Sequence, residues 1–96
     1  MEVEPLVKAL GLSEEYMTKP WSQMSGGEAQ RVFLAVGLAA KPEVIMLDEP
    51  TSALDDTSKR WVEEVVRKSG CAVLWVTHDN DQAERVGDSI WKLVEA

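Results

Sequence analysis

The residues best suited to chemistry in this chain are two adjacent carboxylates, Asp48 and Glu49, in the stretch "VIMLDEP". A short apolar run delivers them at its carboxyl end, where ligands bind in open α/β sheets. Neighbouring side chains leave a strand in opposite directions, so one carboxylate can hold a magnesium ion while the other faces a reacting water. The other reading is a pair of solvated loop acids, the usual fate of an isolated Asp-Glu. A second apolar run, "AVLWV", ends in Thr77, His78 and Asp79. If the two runs are parallel, neighbouring strands, His78 lands beside Asp48 and Glu49, where an imidazole N–H can donate to a terminal phosphate. A lone histidine at a strand end is more often structural. Its placement beside the carboxylates is what gives this one a chemical reading.

"SGGE", Ser25 to Glu28, is the third candidate. Ser25, Gly26 and Gly27 at a helix start expose backbone N–H groups and the positive end of the helix dipole, and Ser25 adds a hydroxyl. The same residues also spell an ordinary capping box, with Ser25 accepting from the Glu28 N–H. A capped helix end can still face a ligand, so both readings stand. "TSALDD", Thr51 to Asp56, supplies a turn and then a cap for the next helix.

Regular elements must hold these residues. Pro5 to Leu10 reads as a short helix stopped by Gly11. Ser13 to Met24 is polar and irregular and contains Lys19-Pro20, a linker. A helix from near Ser25 carries Ala29, Val32, Phe33, Val36 and Ala40 on more than one face, which predicts a well-buried helix ended by Pro42. Val44 to Leu47 and Ala72 to Val76 are continuous apolar runs that predict strands buried on both faces. Between them, Thr57 to Lys68 predicts a helix with Trp61, Val62, Val65 and Val66 on one side, closed by Gly70. Asp79 to Val86 predicts another helix, and Ser89 to Val94 a last strand, half-exposed or at an edge. Alternation of helix and strand points to an α/β fold with a parallel sheet.

Composition narrows the function. The 96 residues fit one small domain, with 45% hydrophobic and 28% charged residues. A formal net charge of -7 argues against a polyanion-binding surface, so no nucleic-acid partner is expected. Lys59-Arg60 and Arg67-Lys68 are balanced by Glu63 and Glu64, a solvated helix face. The single cysteine, Cys71, excludes an internal disulfide and is expected to be a buried, inert thiol. The start "MEVEPLVKALGL" is acidic and reads as no secretory leader. No segment approaches the ~18 apolar residues of a membrane span, so a cytoplasmic chain is the expectation.

Taken in order, these pieces closely resemble the ATP-binding cassette (ABC) ATPases. "MSGGEAQR" is similar to their signature motif, with Met24 and Glu28 where Leu and Gln are commonest; "VIMLDEP" is similar to their Walker B segment, "SALD" to the D-loop, and "THD" to the switch-histidine loop. The resemblance covers roughly Ser22 to Val94. It implies ATP and Mg2+ as cofactors, with Asp48 helping to hold the metal, largely through water. Glu49 would polarise or deprotonate the attacking water and His78 would contact the γ-phosphate. Ser25, Gly26 and Gly27, with Glu28 beside them, would serve an ATP on the opposite subunit of a head-to-tail dimer, and Asp55 would lie on that seam. A second ABC ATPase subunit and transmembrane permease subunits are the implied partners, with the chain peripheral at the inner face of the cell membrane.

One part of the family pattern is missing. The chain nowhere contains G-x-x-x-x-G-K-[ST], the loop whose backbone and lysine cradle phosphates. Five residues after Gly26 comes Arg31, and five after Gly37 comes Pro42. The glutamine loop and the adenine-stacking aromatic also lie upstream of the signature in the family. The expectation is therefore a partial P-loop NTPase fold of the ABC type, a small parallel sheet flanked by helices. Residues 1–96 form the carboxyl-terminal half of a nucleotide-binding domain, with 1–24 an N-terminal helix and linker and 25–94 the motif-bearing core. In the family, the strand entering the phosphate loop sits between "AVLWV" and "SIWKLV". Without it, "VIML" and "AVLWV" should pair in parallel while Ser89 to Val94 sits apart. The expected function is that of a transporter's ATP-binding subunit, favoured over the family's soluble members by the compact signature-to-Walker B interval, in a form unable to hydrolyse ATP unaided. The alternative is a non-catalytic module that completes a partner's ATP site through its signature motif.

Overall fold

The structure is a computed structural model that describes residues 3–92. Its elements run α1 (Val3–Ala9), a 3-10 turn at Glu14–Met17, another at Trp21–Gln23, α2 (Gly26–Ala39), β1 (Val44–Asp48), α3 (Asp56–Lys68), β2 (Ala72–Val76) and α4 (Asn80–Val86). Each helix boundary has a local cause. At the end of α1 the Leu12 N–H donates to Val7 O and the Gly11 N–H to Lys8 O, a closure that needs the left-handed backbone Gly11 adopts, φ 82°. The Trp61 ring lies over Gly11, and a Cβ there would fall 2.2 Å from a ring carbon, so the glycine also allows α3 to approach. Helix α2 begins with a complete capping box and gives way at Lys41 and Pro42. Asp55 caps α3, Arg67 and Lys68 occupy its last turn where cations meet the negative dipole end, and Gly70, φ 77°, follows.

β1, α3 and β2 form a βαβ unit whose strands pair in parallel, Val44 opposite Ala72 through Asp48 opposite Val76. Their shared inner face, Ile45 and Leu47 with Val73 and Trp75, packs against a core from three helices. That core contains Val7 of α1 and Leu10 just after it, Val32, Ala35 and Leu38 of α2, and Val62, Val65 and Val66 of α3.

The sheet differs from expectation on its second face. Strands buried on both faces were predicted, yet Val44 is 66%, Met46 69% and Leu74 55% exposed, because no described element lies over them. Helix α2 shows the same asymmetry. Val32, Leu34, Ala35, Leu38 and Ala39 are buried, whereas Phe33 and Val36, read as core, are exposed; Phe33 stacks on Trp21 with ring centroids 4.5 Å apart. Cys71 is half-buried rather than buried. The sheet of the described residues has two strands, and Ser89 to Lys92 form no strand and pair with neither; Leu93 and Val94 of the expected last strand lie outside the described residues. No helix among the described residues is long and apolar enough to cross a membrane.

Candidate functional site

The parallel register brings the carboxyl ends of β1 and β2 together, and with them the first group of candidates. After Asp48 the chain turns through Glu49 at φ 49°, a left-handed conformation that costs a non-glycine residue about 1–3 kcal/mol. Besides the Ser52 N–H, which donates to Glu49 O at 3.3 Å, three hydrogen bonds hold it there. The Glu49 N–H donates to Val76 O at 2.8 Å, Gln30 Nε2 donates to Glu49 O at 3.0 Å, and Glu49 Oε1 accepts the His78 N–H at 2.7 Å. His78 Nε2 lies 3.7 Å from the same Oε1, with its side chain 95% exposed. The Glu49 carboxylate and the His78 imidazole thus share one solvent-facing edge beside the exposed Asp48. One oxygen of Glu49 is fixed by the histidine's own backbone, and the imidazole is free to turn toward a ligand.

Asp48 fits a magnesium ion of the kind held mainly by water and phosphate oxygens. Mg2+ ordinarily takes one or two protein carboxylates in nucleotide sites, and no group of three or more His, Cys, Asp or Glu that could cage a metal occurs among the described residues.

The second group sits at the start of α2. The Glu28 N–H donates to Ser25 Oγ at 3.1 Å and the Ser25 N–H donates to Glu28 Oε1 at 2.9 Å, so the capping box is reciprocal. The other Glu28 oxygen accepts the Tyr16 hydroxyl, and Lys19 Nζ lies 4.5 Å over the Tyr16 ring. These bonds, the Tyr16 hydroxyl first and the Ser25 amide next, hold the Glu28 carboxyl below its usual range, and Glu28 in turn pushes the Tyr16 hydroxyl up. Gly27 is required for close approach: a Cβ on it would lie 2.9 Å from Ala53 O and 2.9 Å from Leu54 Cδ2. The helix start therefore rests directly on the loop that leads to Asp55. Asp55 caps α3 by accepting the Ser58 N–H at 2.8 Å, which holds its carboxyl below the usual range.

Glu49 and His78 meet at one place, directly after Asp48 in the chain, and Ser25, Gly27 and the loop before Asp55 at another. Ser25 bonds only within its own cap, and no described hydrogen bond joins it to the carboxylates. The connector is Gln30, which the sequence reading did not single out. Its Nε2 donates to Glu49 O at 3.0 Å and to Ser52 Oγ at 3.5 Å, while its Oε1 accepts the Ala53 N–H at 3.4 Å. Tyr16 and Gln82 were missed as well. A glutamine within a helix has no spacing signature, and Gln30 lies in the polar first turns of α2, between Glu28-Ala29 and Arg31, where nothing local marks it.

Fold and motifs together match a known class, the ATP-binding cassettes. The dimeric ATP-binding cassette MJ0796, solved in a post-hydrolysis state bound to ADP and Pi, superposes with a TM-score of 0.74 at 34% identity, over 82% of this chain and 36% of that one. The ABC transporter family profile matches residues 1–52, a span that holds the signature and both strand-end carboxylates, and the chain belongs to that family. The tungstate uptake system ATP-binding protein TupC of Peptoclostridium acidaminophilum is 42% identical over 92 residues, 92% of this chain and 42% of the relative. Protein STAR1 of Oryza sativa subsp. japonica is 41% identical over 97 residues, 97% of this chain and 28% of the relative. The chain thus spans well under half the length of these relatives.

Proposed function

We propose that this chain is the carboxyl-terminal half of the nucleotide-binding domain of an ABC transporter's ATP-binding subunit and carries the hydrolytic groups of one ATP site together with the signature of another. Residues 1–24 form its helix and linker and 25–94 its motif-bearing core. The observation that supports this reading most is the meeting of Glu49 and His78 beside Asp48 at the carboxyl ends of two parallel strands.

In this reading Glu49 accepts a hydrogen bond from the attacking water and draws its proton away as the water meets the γ-phosphate. His78, anchored through its amide to Glu49, swings its exposed imidazole to donate to the γ-phosphate oxygens. A magnesium ion near Asp48 would supply charge neutralisation on the phosphates. Across a head-to-tail dimer, the Ser25 hydroxyl and the Gly26 and Gly27 amides offer donors to the other subunit's γ-phosphate, with Asp55 at the seam. Catalysis of this kind is positioning plus electrostatic stabilisation. The rest of the cassette would cover the open sheet face, and the strand that enters the phosphate loop would add to the sheet beside β2. Permease subunits would bind the assembled dimer and hold it peripheral to the cytoplasmic side of a membrane.

Segment exchange tests the reading. These residues are substituted for the aligned segment of TupC, and ATP turnover is measured beside unmodified TupC. The chimera is expected to hydrolyse ATP and to lose turnover on Glu49→Gln while still binding ATP. Turnover indifferent to Glu49→Gln would overturn the assignment. The exposed start of α2 favours one further reading, a module that completes a partner's site in trans. In that case the isolated chain should stimulate a complete cassette, and Ser25→Arg should abolish the stimulation.

A further inference from the structure

Beneath the strand-end site lies a buried polar cluster that the proposed chemistry does not use. Gln82 of α4 is 2% exposed, and every polar atom of its side chain is engaged. Nε2 donates to Thr51 Oγ1 at 2.8 Å and to Glu63 Oε2 at 3.1 Å, while Oε1 accepts the Trp75 Nε1–H at 3.2 Å. The partners leave no choice of orientation. An indole N–H can only donate and a carboxylate can only accept, so the amide must face both ways as it does. Around it, Glu63 is held by Arg85 in two contacts, Nε to Oε1 at 3.0 Å and NH2 to Oε2 at 2.8 Å.

Each partner leads to a different part of the site. Thr51, 4% exposed, follows Glu49 and Pro50 and begins the loop toward Asp55. Trp75 precedes Val76, whose carbonyl accepts the Glu49 N–H. The Gln82 backbone N–H donates to Asp79 Oδ1 at 3.1 Å, next to His78. One residue therefore ties together three parts of the site: its carboxamide holds the loop after Glu49 and the end of β2, and its backbone N–H holds Asp79 in the His78 turn.

We infer that Gln82 is a positioning residue that holds the Thr51–Asp55 loop and the Thr77–Asp79 turn in a single mutual register, so that neither moves without the other. It touches no reacting atom. Its catalytic consequence rests on the ATPase reading, whereas the mechanical coupling does not.

The discriminating variant is Gln82→Glu. Protonated, the new carboxyl can still donate toward Thr51 or Glu63 and accept from Trp75. Ionised, it sets a second carboxylate against Glu63, at the position where Nε2 now sits 3.1 Å away. The other charges facing this point are Arg85 of α4, Asp79 at its N-cap and, farther out on α3, Lys59 and Arg60. Amide hydrogen exchange of the unliganded chain, corrected for intrinsic rates, is followed from about pH 5 to about pH 9. In Gln82→Glu both segments should exchange as in the unmodified chain at the acid end. Both should quicken about threefold or more at the alkaline end, with one shared midpoint, whereas the unmodified chain shows no such transition. Different midpoints, or a change confined to α4, would overturn the proposal. Thr51→Val provides a second arm that adds no charge. It should quicken exchange at Thr77–Asp79, which Thr51 does not touch, and unchanged exchange there would equally overturn it. In the TupC chimera, Gln82→Glu should lower kcat as pH rises with KM little altered. If the chimera is inactive even with Gln82, the ATPase reading fails while the exchange results still decide the coupling.

Discussion

The polar side of the molecule and the outer side of its sheet are finished to different degrees. Around the strand ends, hydrogen bonds close on themselves. Gln30 spans α2 and the loop after β1, Gln82 spans three elements, and no buried side-chain nitrogen or oxygen among the described residues lacks a partner. On the outer sheet face, Val44, Met46, Leu74 and Val76 stand in solvent with no cover, and a groove of about 280 Å³ runs beside β1 between Phe33 and Met46. Monomeric proteins rarely leave such contiguous apolar area open, and two-stranded sheets are seldom stable alone. The contrast teaches that the polar register of the site is set within these residues, whereas the hydrophobic layer is left open by the described residues.

Four substitutions probe that contrast. Leu10 is fully buried where α1 meets the core, and Leu10→Ala should cost about 2–5 kcal/mol in chemical denaturation. Gly27→Val would drive a side chain into the Ala53 carbonyl and should cost about 1–3 kcal/mol, lifting α2 off the loop before Asp55. A variant as stable as the parent would show that the two segments are not in close contact.

Glu63→Gln should cost about 1–2 kcal/mol at neutral pH, since it weakens a charge-assisted pair whose Arg85 is partly exposed. Arg85 first, and Gln82 after it, holds the Glu63 carboxyl below the ordinary range. A depressed folded-state value means that the ionised carboxylate favours the fold. The advantage of the parent over Glu63→Gln is therefore complete above the unfolded glutamate value of about 4.3 and shrinks as pH falls through the folded-state value. Denaturation midpoints across acid pH should converge, and a gap that widens toward acid would contradict the pairing. Leu74→Thr on the open face should change stability by no more than about 0.5 kcal/mol while raising solubility. A large loss of stability there would mean that the outer face is covered after all.

What the sequence made legible follows the same division. The strand ends were readable because an apolar run that stops at Asp48 or Thr77 marks where polar groups emerge, and the parallel pairing then fixed the approach of His78 to Glu49. Ser25 was readable as a cap, and Thr51 to Asp56 as a stretch that holds one, because capping has a local spacing rule; the structure makes Asp55 the capping residue. Burial was read too generously. Phe33, Val36, Met46 and Leu74 have core chemistry, but the layer that would bury them is not among the described residues, and hydropathy records what a side chain prefers rather than what covers it. Gln30 and Gln82 escaped for the opposite reason: their importance comes from tertiary neighbours far along the chain.

The most direct measurement is ATP turnover by the 96-residue chain alone, with magnesium, beside its Glu49→Gln variant. Under the proposed reading these residues would hold a share of two ATP sites, and they lack the phosphate-cradling motif, so no turnover above background is predicted for either protein. Robust hydrolysis by the chain alone, abolished by Glu49→Gln, would contradict the account.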